Sequence, residues 1–328
     1  MNVATGIAKL DAAKRLGAPT SARIRGVGIL VPFLILFVVL TVTSSSFATR
    51  VNLLNILDQQ SATLIIAAAG TLVLVAGGID LSVGATYSLA GVTSAHFALD
   101  TNAGVAIFLG IGVGLLVGVA NGLITTVFRI NALITTLAMS FIVSGIAALV
   151  TKGNLLVLFD KPGFGELART EFLTVRTSIW LMIVSVLVIG FVLSSTTAGR
   201  YMYAAGGNAE AARLAGVRVS AIRVLTFAIS GLAAGLAGVI DTSRVLSAQA
   251  GTGDTALAFT VLAGIVVGGT SILGGEGAVW RTVVGVLFIA LIGNGYILLG
   301  LDPLYEQITM GVILLAAVGL DALARRGG

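Results

Sequence analysis

The feature that most constrains this chain is a recurrence of apolar runs, each about as long as a bilayer is thick. They fall near residues 27–43, 53–76, 81–99, 103–128, 131–151, 178–194, 222–243, 254–272, 279–299 and 304–320. A helix needs roughly 20 apolar residues to cross hydrocarbon, and in lipid its backbone groups must be satisfied within the segment. These runs exceed what a barrel strand requires, so the chain reads as an all-α integral membrane protein of about ten transmembrane helices. Composition agrees: 57% of residues are hydrophobic and 10% charged, against about a quarter charged in soluble domains.

The same runs set the expected orientation. The 26-residue N-terminal tail carries Lys9, Lys14, Arg15, Arg23 and Arg25, and no clear cleavage pattern follows the first apolar run. An uncleaved first helix with the N-terminus in the cytoplasm then places both termini there. On that count only Arg50, Lys152, Lys161, Arg169, Arg176 and Arg244 lie outside, and the other 13 of 19 basic residues lie inside, as basic loops in membranes prefer. The expected layout is a cytoplasmic tail over 1–26, a transmembrane domain over 27–320 containing a loop at 195–221, and a cytoplasmic tail over 321–328.

Several chemistries are excluded or weakened. No cysteine is present, so disulfides and thiolate chemistry are absent, and the single His96 argues against a histidine metal site. GGTSILGGEG at 268–277 lacks a GK[ST] ending and reads as a tight turn rather than a P-loop. The net charge of +5 fits basic loops beside anionic lipid better than nucleic-acid binding. Asp58, Asp80, Asp241 and Asp254 sit in or near segment ends without periodic pairing, which disfavours hydrolytic acid–base work.

Small residues recur at helical spacing. Gly110, Gly114, Gly118 and Gly122 share one helix face and predict a close helix seam, an idea repeated at Gly231, Gly235 and Gly238 and at Gly264 and Gly268.

Two stretches stand out from the apolar background. In AGGIDLSVGA (76–85), Asp80 is the only charge between Gln59 and Ala95; paired glycines end one helix, and Asp80 is expected to N-cap the next from Leu81. In TTAGRYMYAAGGNAEAARLAGVRVSAIRV (196–224), Gly206, Gly207 and Asn208 form a breaker, after which AEAARLAG offers a short helix that Gly216 stops. Such a helix, with a face of small residues flanked by charge, fits a groove on a partner or, equally, a connector held flat on lipid. Polar residues inside the runs, namely Ser82, Asn121, Asn131, Thr135, Thr136, Ser140 and Asn294, suit either a path for an uncharged solute or bonds between helices.

GRYMYAAGGNAEAARLAGV resembles the cytoplasmic coupling segment of the ribose-type carbohydrate ABC importer permeases, and AGGIDLSVGA resembles their GGIDLSVG signature. NLLNIL (52–57), RINALITTLAMS (129–140) and VVGGTSILGGEGAV (266–279) fit the same family in the same order, from about residue 47 onward. Ala198 departs from the bulky apolar residue common at that position.

The resemblance implies a type II-like ABC importer permease in the bacterial cytoplasmic membrane that homodimerises and carries no ATPase site. It also implies a cytoplasmic ATP-binding subunit holding ATP-Mg, a periplasmic or lipid-anchored sugar-binding protein, and no cofactor or metal on this chain. By the same pattern Gly207, Asn208, Glu210, Ala211, Ala212, Arg213 and Gly216 are expected to couple to the ATPase; from the residues themselves, Asp80, Ser82, Asn121, Asn131, Thr135, Thr136 and Asn294 are the path or helix-break candidates. A branched-chain amino-acid importer is the near alternative, and an ion-coupled secondary transporter the distant one.

Overall fold

The computed structural model describes residues 28–302 and 304–326, so the tail at 1–26 lies outside the described residues, as do 327–328. Each apolar run overlaps a helix: α1 (Leu30–Thr43), α2 (Arg50–Val75), α3 (Val83–Asp100), α4 (Ala103–Val127), α5 (Ala132–Thr151), α7 (Thr177–Ser195), α10 (Val219–Val245), α11 (Asp254–Val267), α12 (Val279–Leu298) and α13 (Leu304–Arg326). Among the described residues, six of these (α2, α4, α5, α7, α10 and α12) are long and apolar enough to cross a membrane. Two of the longer connections hold further helices. One holds α6 (Pro162–Arg169), and the other holds α8 (Thr197–Gly207) and α9 (Ala209–Leu214).

At the centre stands α2, every residue of which is buried from Ser61 to Val75. A helix apolar all round has no solvent face to present, so it belongs in the interior of a bundle. It packs on α10, α7, α12 and α11, while α10 also takes α4 and α3 along its length. Outer helices turn large apolar side chains outward, among them Phe108, Phe141, Leu149 and Phe191. An apolar exterior of this kind suits hydrocarbon rather than water.

The glycine seam forms as the spacing predicts. Gly110, Gly114, Gly118 and Gly122 are all buried on α4, and α10 lies against them. A Cβ built on Gly114 would stand 2.4 Å from the Gly231 carbonyl oxygen, and one on Gly118 would stand 2.2 Å from that of Phe227. Gly238 meets the backbone of Tyr87 on α3, and Gly285 on α12 meets Gly264 on α11, in the same manner. Helices in lipid gain their association from such close van der Waals approach.

One end of the bundle is closed by a folded cap. Strand β1 (Leu156–Val157) pairs antiparallel with β4 (Ser247–Ala248), and β2 (Glu171–Phe172) with β3 (Val175–Arg176). Leu158, Phe164 and Ala168 are buried beneath it, while most of the segment 152–177 is exposed. Lys161 Nζ donates to the Leu99 carbonyl at 2.7 Å, tying the cap to the end of α3.

Replacing Gly118 with alanine should destabilise the fold by about 1–3 kcal/mol, because the backbone of α10 cannot yield to the added methyl. Gly112→Ala, where a Cβ meets nothing within 4 Å, is the matched control and should be neutral or slightly stabilising. Thermal unfolding of the detergent-solubilised chain measures both; equal melting temperatures for the two variants would show that the seam is not closely packed.

Candidate functional site

The break between α2 and α3 is the most heavily braced irregular backbone in the bundle. Helix α2 ends in a Schellman motif: Gly77, at φ +79°, donates to the Leu74 carbonyl, and Gly78 donates to that of Val73. Beyond it, Leu81 N donates to Thr136 Oγ1 at 3.1 Å, and that hydroxyl reaches back to the Ile79 carbonyl at 3.3 Å. A side chain from α5 thereby replaces the helical partners that these peptide groups lost.

Asp80 takes part differently from expectation. Helix α3 begins at Val83 rather than Leu81, Ser82 holds the N-cap position, and no side chain caps it. Asp80 instead accepts from Ser82 N and Ser82 Oγ through Oδ1, at 3.0 and 2.7 Å, and from Ser230 Oγ on α10 through Oδ2 at 2.8 Å. Asn121 on α4 completes the clasp by donating to Ser82 Oγ at 2.8 Å. The acid sits two residues ahead of the cap because its second oxygen is committed to a helix 150 residues away in sequence. Asp80, Ser82, Asn121 and Thr136 are thus brought together as a clasp on the break.

Two of the other acids singled out in the sequence have arginine partners. Asp58 is 3% exposed and pairs with Arg176 at 2.6 Å and with Ser178, while Asp241 pairs with Arg244 one turn along α10. The Asp254 side chain lies outside the described residues.

Three loops converge on the C-terminal end of α2 through glycine backbones. A Cβ on Gly206, in the last turn of α8, would lie 1.8 Å from the Val75 carbonyl oxygen. That same oxygen accepts from Gly275 N at 2.9 Å. Gly274 and Gly275 carry φ of +89° and +77°, and Cβ atoms on them would collide with Gly77 and Gly207 respectively. Tyr203 on α8 adds a bond to the Gly277 carbonyl at 2.7 Å. The signature break, the end of α8 and the glycine turn after α11 therefore form one knot in which side chains have no room.

From this knot projects α9. Asn208 caps it, accepting from Glu210 N at 3.1 Å and Ala211 N at 2.9 Å. Gly216 ends it at φ +86°, donating to the Arg213 carbonyl while Val217 donates to that of Ala212, a complete Schellman motif. Ala212 is buried against the body of the protein, whereas Ala211 and Leu214 are exposed, Leu214 by 83%. Glu210 and Arg213 pair at 2.9 Å on the exposed side.

The remaining predicted residues lie elsewhere. Asn131 caps α5, accepting from Leu133 N at 2.8 Å, and lines a cleft of about 770 Å³ with Arg129, Arg213 and Arg223. Thr135 is buried with its hydroxyl unpartnered, and Ser140 bonds back to its own helix. Asn294 on α12 exchanges two hydrogen bonds with Asn52 on α2, at 3.0 and 3.1 Å. That pair opens onto a cavity of about 400 Å³ lined also by Asn55, Gln59 and Gln60. Only Asn294 of this amide set is a predicted path residue; the signal for the rest is the spacing of Asn52, Asn55 and Gln59, at i, i+3 and i+7 on one helix face.

The family described as "Branched-chain amino acid transport system / permease component" matches residues 52–318. Among curated proteins, the ribose import permease protein RbsC of Escherichia coli strain K12 is 36% identical over 196 residues, 59% of this chain and 61% of the relative. The L-arabinose transport system permease protein AraH of the same strain is 38% identical over 193 residues, covering 59% and 58%. RbsC of Bacillus subtilis strain 168 is 36% identical over 189 residues, covering 57% and 58%. The chain spans about 61% of the length of the first of these relatives. No solved structure matches it.

Asp80→Asn should be mild, since its amide oxygen still accepts from Ser82 and the Ser230 hydroxyl can turn to accept from the new NH₂. Asp80→Ala strands both serines in the interior and should cost about 1–3 kcal/mol of stability. The two variants are compared by thermal unfolding; if Asn is as damaging as Ala, the negative charge itself is required.

Proposed function

This chain belongs to the branched-chain amino acid transport permease family, and from that premise we propose that it is the membrane-spanning subunit of an ATP-driven ABC importer for a monosaccharide or related polyol. In this reading it is a multi-pass protein of the bacterial cytoplasmic membrane, crosses ten times with both ends in the cytoplasm, and works as a homodimer. It has no ATPase site of its own: ATP-Mg sits on a cytoplasmic ATP-binding subunit, and a periplasmic or lipid-anchored binding protein delivers the solute. The relatives named for ribose and L-arabinose support the sugar branch over the amino-acid branch.

The observation that carries the proposal is the mechanical continuity from α9 to α2. Alternating access requires that closure of the ATPase outside the membrane move helices within it. Helix α9 presents Leu214, Glu210 and Arg213 outward, is joined to α8 through the shared residue Asn208, and α8 abuts the last carbonyl of α2 through Gly206. A push on α9 therefore reaches the helix break through backbone, with no flexible side chain between. Arginine partners at Asp58 and Asp241 disfavour ion coupling at those two acids, which would need a carboxylate free to change its protonation or its ligand.

Reconstitution with the ATPase and binding protein tests it. Glu210 and Arg213 form an exposed pair worth little to folding, so Glu210→Ala should leave thermal stability unchanged while reducing recovery of the ATPase and sugar uptake. Gly206→Ala, whose added methyl meets the Val75 carbonyl, should lower thermal stability and lose uptake. Full uptake and full complex recovery in both variants would refute the assignment.

A further inference from the structure

The arginine cleft at the α9 end of the bundle carries charge that the proposed function does not use. The α4–α5 turn supplies Arg129, α9 supplies Arg213 and the first turns of α10 supply Arg223, around about 770 Å³. Arg213 is paired with Glu210, whereas Arg129 and Arg223 form no ion pair among the described residues. Arg223 Nε and Thr125 Oγ1, both on lining residues, are buried without a hydrogen-bond partner. A buried charged donor left unmet is costly, and like charges around one space repel, so an anion in the cleft relieves both.

The surroundings point to what carries the anion. Ile130 and Leu133 line the cleft and are exposed, and exposed apolar side chains continue along α5 through Ile134, Phe141 and Leu149. In a bilayer such a stripe faces acyl chains, while arginines at helix ends reach the headgroup level. The chain's own tails make poor counter-ions: residues 1–26 carry five basic residues and one acid, and residues 321–328 carry two and one. We infer that the cleft binds the phosphate headgroup of an anionic phospholipid, whose acyl chains lie along α5. Guanidinium groups match phosphate oxygens, and basic pockets between spanning helices at a membrane surface hold such headgroups. A lipid there ties the α4–α5 turn to α9 and α10, beside Gly77 and Gly78 of the break, which also line the cleft. The inference goes beyond the importer reading and does not depend on which solute crosses; it needs only that these helices lie in a bilayer.

The full-length chain in neutral detergent is titrated with phosphatidylglycerol, with phosphatidylcholine of identical acyl chains, and with inorganic phosphate, and binding is read as a rise in melting temperature. Phosphatidylglycerol should bind at least about tenfold more tightly than either of the others. Arg129→Gln should weaken it about fivefold and Arg129→Gln with Arg223→Gln about 25-fold. Arg218→Gln, which removes an exposed charge at the same end but outside the cleft, should change it less than about twofold. Arg129 is exposed, so the single variant decides the matter even where the double fails to fold.

Equal binding of the two lipids would show that acyl chains and not headgroup charge are recognised. Phosphate matching phosphatidylglycerol would make this a site for a free anion, and an equal loss in Arg218→Gln would reduce it to diffuse surface charge. Release of the lipid on adding the ATP-binding subunit would make the cleft a protein interface. Each of these results overturns the proposal. Failure of the assembled transporter to take up sugar bears only on the importer reading, because headgroup binding is measured on this chain alone.

Discussion

In hydrocarbon a peptide group that leaves its helix must find another partner, and the structure is organised around one place where the chain breaks that rule and repairs it. The segment 76–82 interrupts what would otherwise be two continuous helices. Its repair draws on α5 through Thr136, on α4 through Asn121, on α10 through Ser230, and on the α11–α12 turn through Gly275. Water supplies such partners freely in a soluble loop. Here each must come from a named side chain or backbone on another element, so the break fixes where those elements sit.

That requirement explains why glycine is concentrated where it is. The Val75 carbonyl can accept from Gly275 N only if the two backbones touch, and Gly206 must also pack against the same oxygen. Three loops meeting at one peptide leave no volume for a Cβ. The seam between α4 and α10 obeys the same geometry but serves a different end, holding the helix that carries Ser230 against the helix that carries Asn121. Buried polar bonds specify the arrangement, and close-packed glycines make the distances they need attainable.

What could be read from residues alone was whatever depends on local chemistry. The ten apolar runs, the α4 seam, the short helix after the break near Asn208 and the stop at Gly216 follow from spacing and from the few side chains able to fill those roles, and the structure has a helix over each run, the seam, the short helix and the stop. The partner of Asp80 was out of reach, because Ser230 lies 150 residues away and nothing near Asp80 distinguishes it from other serines. Helix α8 was hidden for a related reason: GRYMYAAGG is glycine-rich, and its helicity comes from packing under the α11–α12 turn. The amide face of α2 was legible in principle at 52, 55 and 59, but its meaning required knowing that α11 and α12 enclose it.

The central claim is that α8, the break after α2 and the α11–α12 turn move as a single body when the ATPase closes. Spin labels on Arg200→Cys and Leu273→Cys, exposed positions on two of these elements, report it by pulsed electron resonance in the assembled transporter. A second pair, Arg200→Cys with Phe128→Cys at the C-terminal end of α4, reports movement against the rest of the bundle. The account predicts an unchanged distance for the first pair between nucleotide-free and ATP-trapped states and a changed one for the second. A first-pair distance that shifts as much as the second would show that the knot yields, and that α9 does not drive α2.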